Sequence, residues 1–597
     1  ELTPATAPAV IDLCRLVGGM PLGLELAASW IRTLSCAEIA AEIAQSLDFL
    51  SASRYDVPAR HQSLSVVFAQ SWQLLSELER QVFRRLSIFQ GGLSREAAEQ
   101  VAGASLPLLS ALVDKSLLRR NSSGHYEIHE LVRQYAAEKL AGLPSECLET
   151  QARHGHYYAR FLHRRDPHLK GQKQPVALAE IKDQIENIRS AWQWAIRQGQ
   201  LDAIERSQEC LYFYYEICGR FQEGEELFQQ AIAGLTECHP AVEKMTNGNQ
   251  AAPEIAVTYP KNGSATTRQR DKLLAELLAR RGGLLDRLGL YEQAQELLQQ
   301  SLAMFEHLGA HQETAFPLYH LGYIAFVLGD YEAAKNFAQE SLALFRANDD
   351  RWGIAPVLNT LGDILIALGI VEEAQYVFQE SLEIATDLEL RAGVGWSHQG
   401  LGDTNRLLKD YAVSQAHYEQ GLAIFTEVDA REGMAWALHG LGDVARERQD
   451  YRQAAQYQQQ SLDLFEEIGD LNAMSETLNA LGNTAYALAD YDQARVYFQR
   501  ALQVAVEVRA IPVALDVLVG LARVLAEAGA CEQALELLAV ALDHPGSEKE
   551  TLDKAASFLS KLPAPLAPAG MRATQAHHAA PTLEEVALKL CENLTGF

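Results

Sequence analysis

Residues 401–480 read LGDTNRLLKDYAVSQAHYEQGLAIFTEVDAREGMAWALHG and then LGDVARERQDYRQAAQYQQQSLDLFEEIGDLNAMSETLNA, so the second forty residues restate the first column by column. Worked outward, the pattern holds from 282 to 545 with no insertion or deletion. Leu-Gly recurs at Leu321-Gly322, Leu361-Gly362, Leu401-Gly402, Leu441-Gly442 and Leu481-Gly482, with Leu521-Ala522 as a variant and Gly282 one period earlier. A small residue follows at Ala294, Ala334, Ala374, Ser414, Ala454, Ala494 and Ala534, and a leucine eight beyond it in all seven units. Apolar residues three and four apart on both sides of turns such as Leu328-Gly329-Asp330 make each unit two antiparallel helices. One such pair cannot bury its apolar faces, so a fixed period means stacked units, an α-solenoid.

These columns resemble the tetratricopeptide (TPR) repeat in a forty-residue form. The helix-ending proline of the shorter form is replaced by loops such as Ala347-Asn348-Asp349-Asp350. The resemblance implies a concave face, formed by the first helices, that binds a protein or peptide and carries no chemistry. On that face the positions three before the Leu-Gly glycine and one after it share a side of the helix. They include Asn359/Asp363, Gln399/Asp403, His439/Asp443 and Asn479/Asn483, with Trp396, Trp436, Arg406 and Arg446 at matching offsets in two adjacent units. Amides, carboxylates and arginines beside tryptophans suit a peptide backbone or a polar small molecule. The alternative is that Asp403-Arg406 and Asp443-Arg446 are ion pairs on a solvated face.

The chain has 597 residues, more than one core accommodates, and its net charge of -27 is uneven. Residues 271–545 hold 41 acidic and 18 basic residues, or -23, against 17 and 13, or -4, over the first 150. An acidic array repels a phosphate backbone, which argues against nucleic acid as its ligand. No apolar run reaches membrane length and no secretory signal opens the chain, so a cytoplasmic protein without membrane contact is expected. The eight cysteines show no ligand spacing for zinc. Because the chain starts at Glu1 on what reads as mid-domain helices, a fragment or processed product is expected.

Ahead of the solenoid, residues 1–60 read as a helical block with helices over 10–17, 21–34 and 37–47. Residues 61–145 read as helices at 62–74, 77–88, 95–102 and 105–114, strands at 116–120 and 125–128, and a helix from 130 to 140. Helices followed by a small hairpin make a winged helix. Ser76 with Glu79 forms a capping box, and Asn121-Ser122-Ser123-Gly124 is the hairpin turn. Residues 146–237 form a helical connector with a degenerate leading repeat, 238–270 a mobile loop, 271–545 the solenoid, and 546–597 a linker with a short helix near the end. The fold class is therefore all-α.

Gly19-Met20-Pro21-Leu22-Gly23-Leu24 resembles the GLPL motif of NB-ARC ATPases, the STAND-class signalling switches, and Ile128-His129-Glu130-Leu131-Val132-Arg133 resembles their MHD motif. The resemblance implies that residues 1–60 are an ARC-like subdomain, that Pro21 packs on adenine and that His129 reaches the β-phosphate of ADP. On the residues alone, His129 caps the following helix. The sequence contains no G-x-x-x-x-G-K-[ST] loop, so no enzymatic activity is expected of this chain, and ADP or ATP enters only with an upstream nucleotide domain. The reading is a bacterial STAND-type regulator whose solenoid receives a protein, a peptide or a small-molecule inducer, with oligomerisation on activation. Two alternatives stay open: a nucleotide-free TPR scaffold, and a transcriptional regulator using the winged helix on DNA.

Overall fold

A twenty-residue cadence builds the larger part of the molecule. In the computed structural model, which describes residues 7–16, 24, 27–28, 30–31, 33–45, 64–122, 124–171, 173–237 and 265–562, a left-handed backbone residue stands at every twentieth position from Gly289 to Gly529. Glycine fills Gly289, Gly309, Gly329, Gly369, Gly469 and Gly529, where positive φ costs it nothing; Asp349, Glu389, Lys409, Asp429, Gln449, Ala489 and Arg509 adopt the same conformation at a cost. Each ends a helix, as a left-handed residue does by turning the last carbonyls back onto the chain. Two seventeen-residue helices and two such turns make the forty-residue unit, for example Arg391–Leu407 with Tyr411–Glu427.

Two compact units divide the chain: residues 1–166 with 176–210, and residues 167–175 with 211–597. In the first, helices Ala7–Leu16 and Cys36–Gln45 pack together. Pro21 and half of the helix expected over 21–34 lie outside the described residues. Helices Leu64–Gln73, Glu77–Leu86, Leu106–Asp114 and Glu130–Ala141 surround a core that includes Phe83, Leu86, Phe89, Leu109 and Leu131. The capping box forms: Ser76 Oγ accepts from Glu79 N–H at 3.3 Å and Glu79 Oε2 accepts from Ser76 N–H at 2.7 Å. Lys115 donates to the same carboxylate at 2.6 Å and, with those bonds, holds its pKa down at about 2.

The hairpin is shorter than its pattern suggests, pairing Arg119–Arg120 with Tyr126–Glu127. Ser116 is left-handed, and the N–H groups of Leu117 and Leu118 turn back to the carbonyl of Leu112, so nothing before Arg119 is free to pair. The helix expected at 95–102 begins as Arg95–Ala97 and widens to a π-turn over Ala98–Ala102, stopped by left-handed Gly103. Buried Asn187, on helix Gln174–Arg197, accepts from Gln90 N–H at 2.7 Å and donates to the Gly92 carbonyl at 2.9 Å, fastening the connector to the loop beside the wing.

In the second unit, helices Tyr291–Leu308 through Cys531–Asp543 complete seven pairs. Of the stretch expected as a loop at 238–270, only 265–270 are described, and they are the opening turns of helix Ala265–Arg287. The serine column has a mechanical reason: Ser301, Ser341, Ser381 and Ser461 donate to the carbonyls of Ala275, Ala315, Ala355 and Ala435, 26 residues earlier, pinning second helix to first. The glycine column makes room for side chains rather than for backbone alone. A Cβ on Gly402 would meet the Tyr418 ring at 2.5 Å, and one on Gly440 in the next unit would meet the other side at 2.4 Å. Phe378 is held likewise between Gly362 and Gly400, and Phe498 between Gly482 and Gly520.

The superhelix turns far enough to meet itself. Arg287 of the first pair reaches Glu432 of the fifth at 2.5 Å, Glu292 pairs with Arg509, and Leu285 and Tyr291 share one apolar cluster with Val508, Leu515 and Ala555. The stretch after 545 corrects the expected linker. Residues Lys549–Leu559 form a helix that packs on helices Ile511–Glu527 and Cys531–Asp543 and reaches across to Arg351–Ala367 of the third pair. Tyr331 anchors its approach by donating to the Gly546 carbonyl at 3.1 Å. The helix expected near the C-terminus lies outside the described residues.

Candidate functional site

Because the first helices face inward and the terminal helix crosses between them, the superhelix interior holds a partly open cavity of about 480 Å³. That falls within the range of ligand pockets, roughly 300–1,000 Å³. All twelve groove residues named from the sequence line it: Asn359, Asp363, Trp396, Gln399, Asp403, Arg406, Trp436, His439, Asp443, Arg446, Asn479 and Asn483. Glu216, Arg287, Glu432, Glu476, Asp516, Glu548, Glu550 and Lys554 line it too, and these were not anticipated.

The two adjacent units that look equivalent in sequence are not equivalent in space. Asp403 accepts from the Tyr418 hydroxyl at 2.7 Å and from Gln399 Nε2 at 3.5 Å, while Arg406 turns to Glu550 of the terminal helix at 3.0 Å. Asp443 keeps Arg446 at 3.5 Å and takes Gln458 Nε2 at 3.3 Å. Neither arginine sits on a solvated face: their side chains are 13% and 19% exposed. The alternative of ion pairs on a solvated face is therefore set aside: the i,i+3 pair forms at Asp443-Arg446 but is largely buried, and Arg406 pairs with Glu550 instead. Trp396 and Trp436 line the wall edge-on to Phe425 and Phe465, with ring centres 5.1 and 5.2 Å apart.

Burial inside an acidic wall moves several groups. Asp403 is pushed up to about 6 by burial, against the pull of Arg406 and Tyr418. Glu548 is pushed to about 7 by burial and by neighbouring Glu550 and Asp516. Burial, then Asp403 and Glu548, holds Asp363 well above the usual carboxylate range. At Asp443 burial acts in the same direction, but Arg446, His439 and Arg406 outweigh it and the pKa is lowered. Glu550 is likewise kept low, with Arg406 and Lys554 overcoming burial.

The terminal helix had a readable signal. Leu552, Ala555 and Phe558 are spaced for one face, whereas Ser547-x-x-Glu550, which has the capping-box letters, forms no box: Glu548 is the N-cap and Ser547 Oγ donates to the Ala541 carbonyl. In the winged helix, His129 caps helix Glu130–Ala141, its Nδ1 accepting from Leu131 N–H at 3.3 Å. Among the described residues no group of three or more His, Cys, Asp or Glu side chains has the arrangement of a metal site, and no helix is long and apolar enough to cross a membrane.

Comparison with known proteins matches the tetratricopeptide repeat at residues 273–347, 353–427, 407–467, 433–507 and 473–544, and a winged helix-turn-helix domain at 75–141. A putative HTH-type transcriptional regulator of Mycobacterium tuberculosis is 33% identical over 205 residues, which are 33% of this chain and 23% of that protein. The regulatory protein AfsR of Streptomyces coelicolor is 30% identical over 160 residues, 24% of this chain and 16% of its own length. The chain thus spans about a quarter or less of these relatives. Among solved structures, a STAND protein with a tetratricopeptide repeat sensor from Pyrococcus horikoshii aligns at 14% identity and TM-score 0.47, covering 92% of this chain and 73% of that one. A Rap protein complexed with competence and sporulation factor aligns at 11% identity and TM-score 0.45, covering 68% and 99%. This chain joins a winged helix-turn-helix domain to a tetratricopeptide repeat array.

Proposed function

We propose that this chain is the sensing and relay portion of a bacterial regulatory protein of STAND type, and that the superhelix interior receives the signal as a bound peptide, protein segment or small inducer. One observation carries the reading: a partly open cavity of about 480 Å³ whose wall carries many charged side chains, bordered by a helix of the same chain. A ligand entering there competes with the contacts of helix Lys549–Leu559 and so binds two arrangements of the array unequally, the condition for a ligand to shift an equilibrium. The compartment fitting this reading is the cytoplasm. The sequence carries no phosphate loop; His129 is the residue that would report a nucleotide held by another domain.

Peptides selected from a random library on the full chain test this reading. They should lose binding when Gln399 and Asn479 are both changed to leucine, in a variant whose helical circular dichroism is retained although Asn479 gives up its 2.7 Å hydrogen bond to Asp516. Selected peptides that bind this variant as well as the parent would place recognition outside the cavity.

The relatives' printed names favour a second reading, a DNA-binding winged helix. The outward residues of helix Leu106–Asp114 are Leu106, Pro107, Ser110 and Asp114, none of them a base-reading cation or amide, and Lys115 is held by Glu79. Exposed Arg119 and Arg120 are the available phosphate contacts. The full chain should give no gel shift with duplex DNA at about 150 mM salt, and a shift that weakens steeply with added salt would restore this reading.

A further inference from the structure

Three aspartates recur at forty-residue spacing on the cavity wall, and the residue fifteen positions after each decides its state. Tyr418 supplies Asp403 with a hydroxyl at 2.7 Å, and Gln458 supplies Asp443 with an amide at 3.3 Å. At the corresponding place in the third pair stands Phe378, a ring locked between Gly362 and Gly400 with no donor to give. Asp363, half-buried on the wall near Asp403 and Glu548, consequently has no hydrogen-bond or ion-pair partner among the described residues. Glu548 on the terminal helix and Glu216 are also without a partner there.

A separate observation points the same way. Gln399, only 8% exposed, lines the cavity with an Oε1 that accepts no hydrogen bond. Leaving a buried acceptor unmet is costly, and a carboxylate more so. The cations of the wall cannot supply the need, since each already holds a carboxylate: Arg287 with Glu432, Arg406 with Glu550, Arg446 with Asp443, and Lys554 with Asp516. The Nε atoms of Arg287, Arg406 and Arg446 also lack an acceptor, but nine carboxylates stand against these three arginines and Lys554 on the wall, and the excess calls for positive charge and N–H donors.

We infer that the cavity is a site for a small organic cation, the guanidinium or ammonium of a short basic peptide, seated against Asp363 and Glu548 with an N–H directed at Gln399 Oε1. This rests on the reading of the cavity as the sensing site. Burial raises the pKa of both Asp363 and Glu548, so an arriving cation favours their ionised forms and its binding is accompanied by proton release.

Isothermal titration of the full chain with an acetylated, amidated tripeptide carrying a central arginine tests it. The citrulline version supplies the uncharged isostere and spermidine the non-peptide cation. The arginine peptide is expected to bind at least about tenfold more tightly than the citrulline peptide, a difference that Asp363→Asn abolishes. Phe378→Tyr, which gives Asp363 the hydroxyl that Asp403 has, is expected to weaken binding while the melting temperature holds. A tighter spermidine than arginine-peptide complex would make a free polyamine the natural cation. Equal affinity for arginine and citrulline peptides, or indifference to Asp363→Asn, overturns the charge assignment. If neutral or acidic peptides bind and are lost in the Gln399 and Asn479 leucine variant, the sensing site stands and only its charge class falls.

Discussion

The outer and inner faces of the solenoid obey the same period and use charge in opposite ways. Outside, ion pairs repeat from unit to unit: Arg351 with Asp387, Arg391 with Glu427 and Arg431 with Glu467, 36 residues apart, tie the first helix of a pair to its second, and Arg346 with Glu380 and Arg500 with Glu466, 34 apart, link successive pairs. Each is half-exposed and replaceable by water. Inside, no two units agree. Asp363, Asp403 and Asp443 occupy one column yet have no partner, a tyrosine, and a glutamine with an arginine. Repetition marks what stacking requires, and departure from repetition marks what the interior has been adapted to do.

The contrast is broken most directly at Arg406. Changing it to alanine leaves Glu550 and Asp403 short of positive charge where water enters poorly, and should cost about 2–4 kcal/mol. Chemical denaturation measures the loss, and hydrogen exchange should show residues 549–559 opening first because their link to the fourth pair is gone. A loss under about 0.5 kcal/mol would mean that the interior pair is as solvated as the outer ones.

Gly402→Leu attacks the wall without removing a charge. Its side chain must displace the Tyr418 ring, 2.5 Å from where a Cβ would sit, and with it the hydroxyl that serves Asp403. Overpacking of this kind costs about 1–3 kcal/mol and should appear as a lower melting temperature. The next glycine faces the same ring, so Gly440→Leu should match it within error.

The period made most of this legible in the sequence. A forty-residue repeat has one physical cause, stacked helix pairs, and the first-helix stripe through the Leu-Gly step faces inward where the twelve groove residues line the cavity; in the last pair the same offsets give Val519, buried in the apolar core, and Arg523, neither of them on the wall. What the period could not carry was anything occurring once. Arg406 and Glu550 are separated by 144 residues and leave no recurring mark, and the proline-rich stretch beyond 560 drew the preceding helix into an expected linker. The Phe378, Tyr418 and Gln458 column was visible as letters, but its meaning depended on the neighbouring glycines steering those side chains toward the aspartates. Pro21 lies outside the described residues, while His129 has the local role that the residue reading alone assigns to it.

Acidity sharpens the comparison at Glu548. Its pKa of about 7 in the folded chain lies above an ordinary glutamate, so the folded state binds the proton more tightly between those values and stability falls as pH rises through that window. The groups facing it are Glu550 and Lys554 on its own helix, Asp516, Arg406, Asp363 and Glu476. Glu548→Gln removes the penalty, and should raise stability by about 1–2 kcal/mol at around pH 8 while leaving it nearly unchanged near pH 4.5. Paired melts of parent and variant across pH cancel the contribution of the buried histidines, whose lowered values, about 4 for His154 and His398, act in the opposite sense. An equal gain at both ends of the range would show that Glu548 is already charged and solvated in the fold.

The smallest expected effect defines the outer face. Arg431 and Glu467 meet at 2.8 Å, an ideal distance, yet their side chains are 59% and 60% exposed. At such exposure the charges keep most of their hydration, the attraction is screened by salt, and holding two long side chains in one geometry costs entropy. A double-mutant cycle to alanine should therefore return a coupling of about 0.5 kcal/mol or less, shrinking further when salt is added. Because the pair has counterparts in neighbouring units, the same cycle on Arg351 and Asp387 should give the same answer. If either cycle returned a coupling comparable to the Arg406 loss, the outer ladder would be a structural brace of the superhelix, and the division between a repetitive, weakly coupled exterior and a singular, strongly coupled interior would fail.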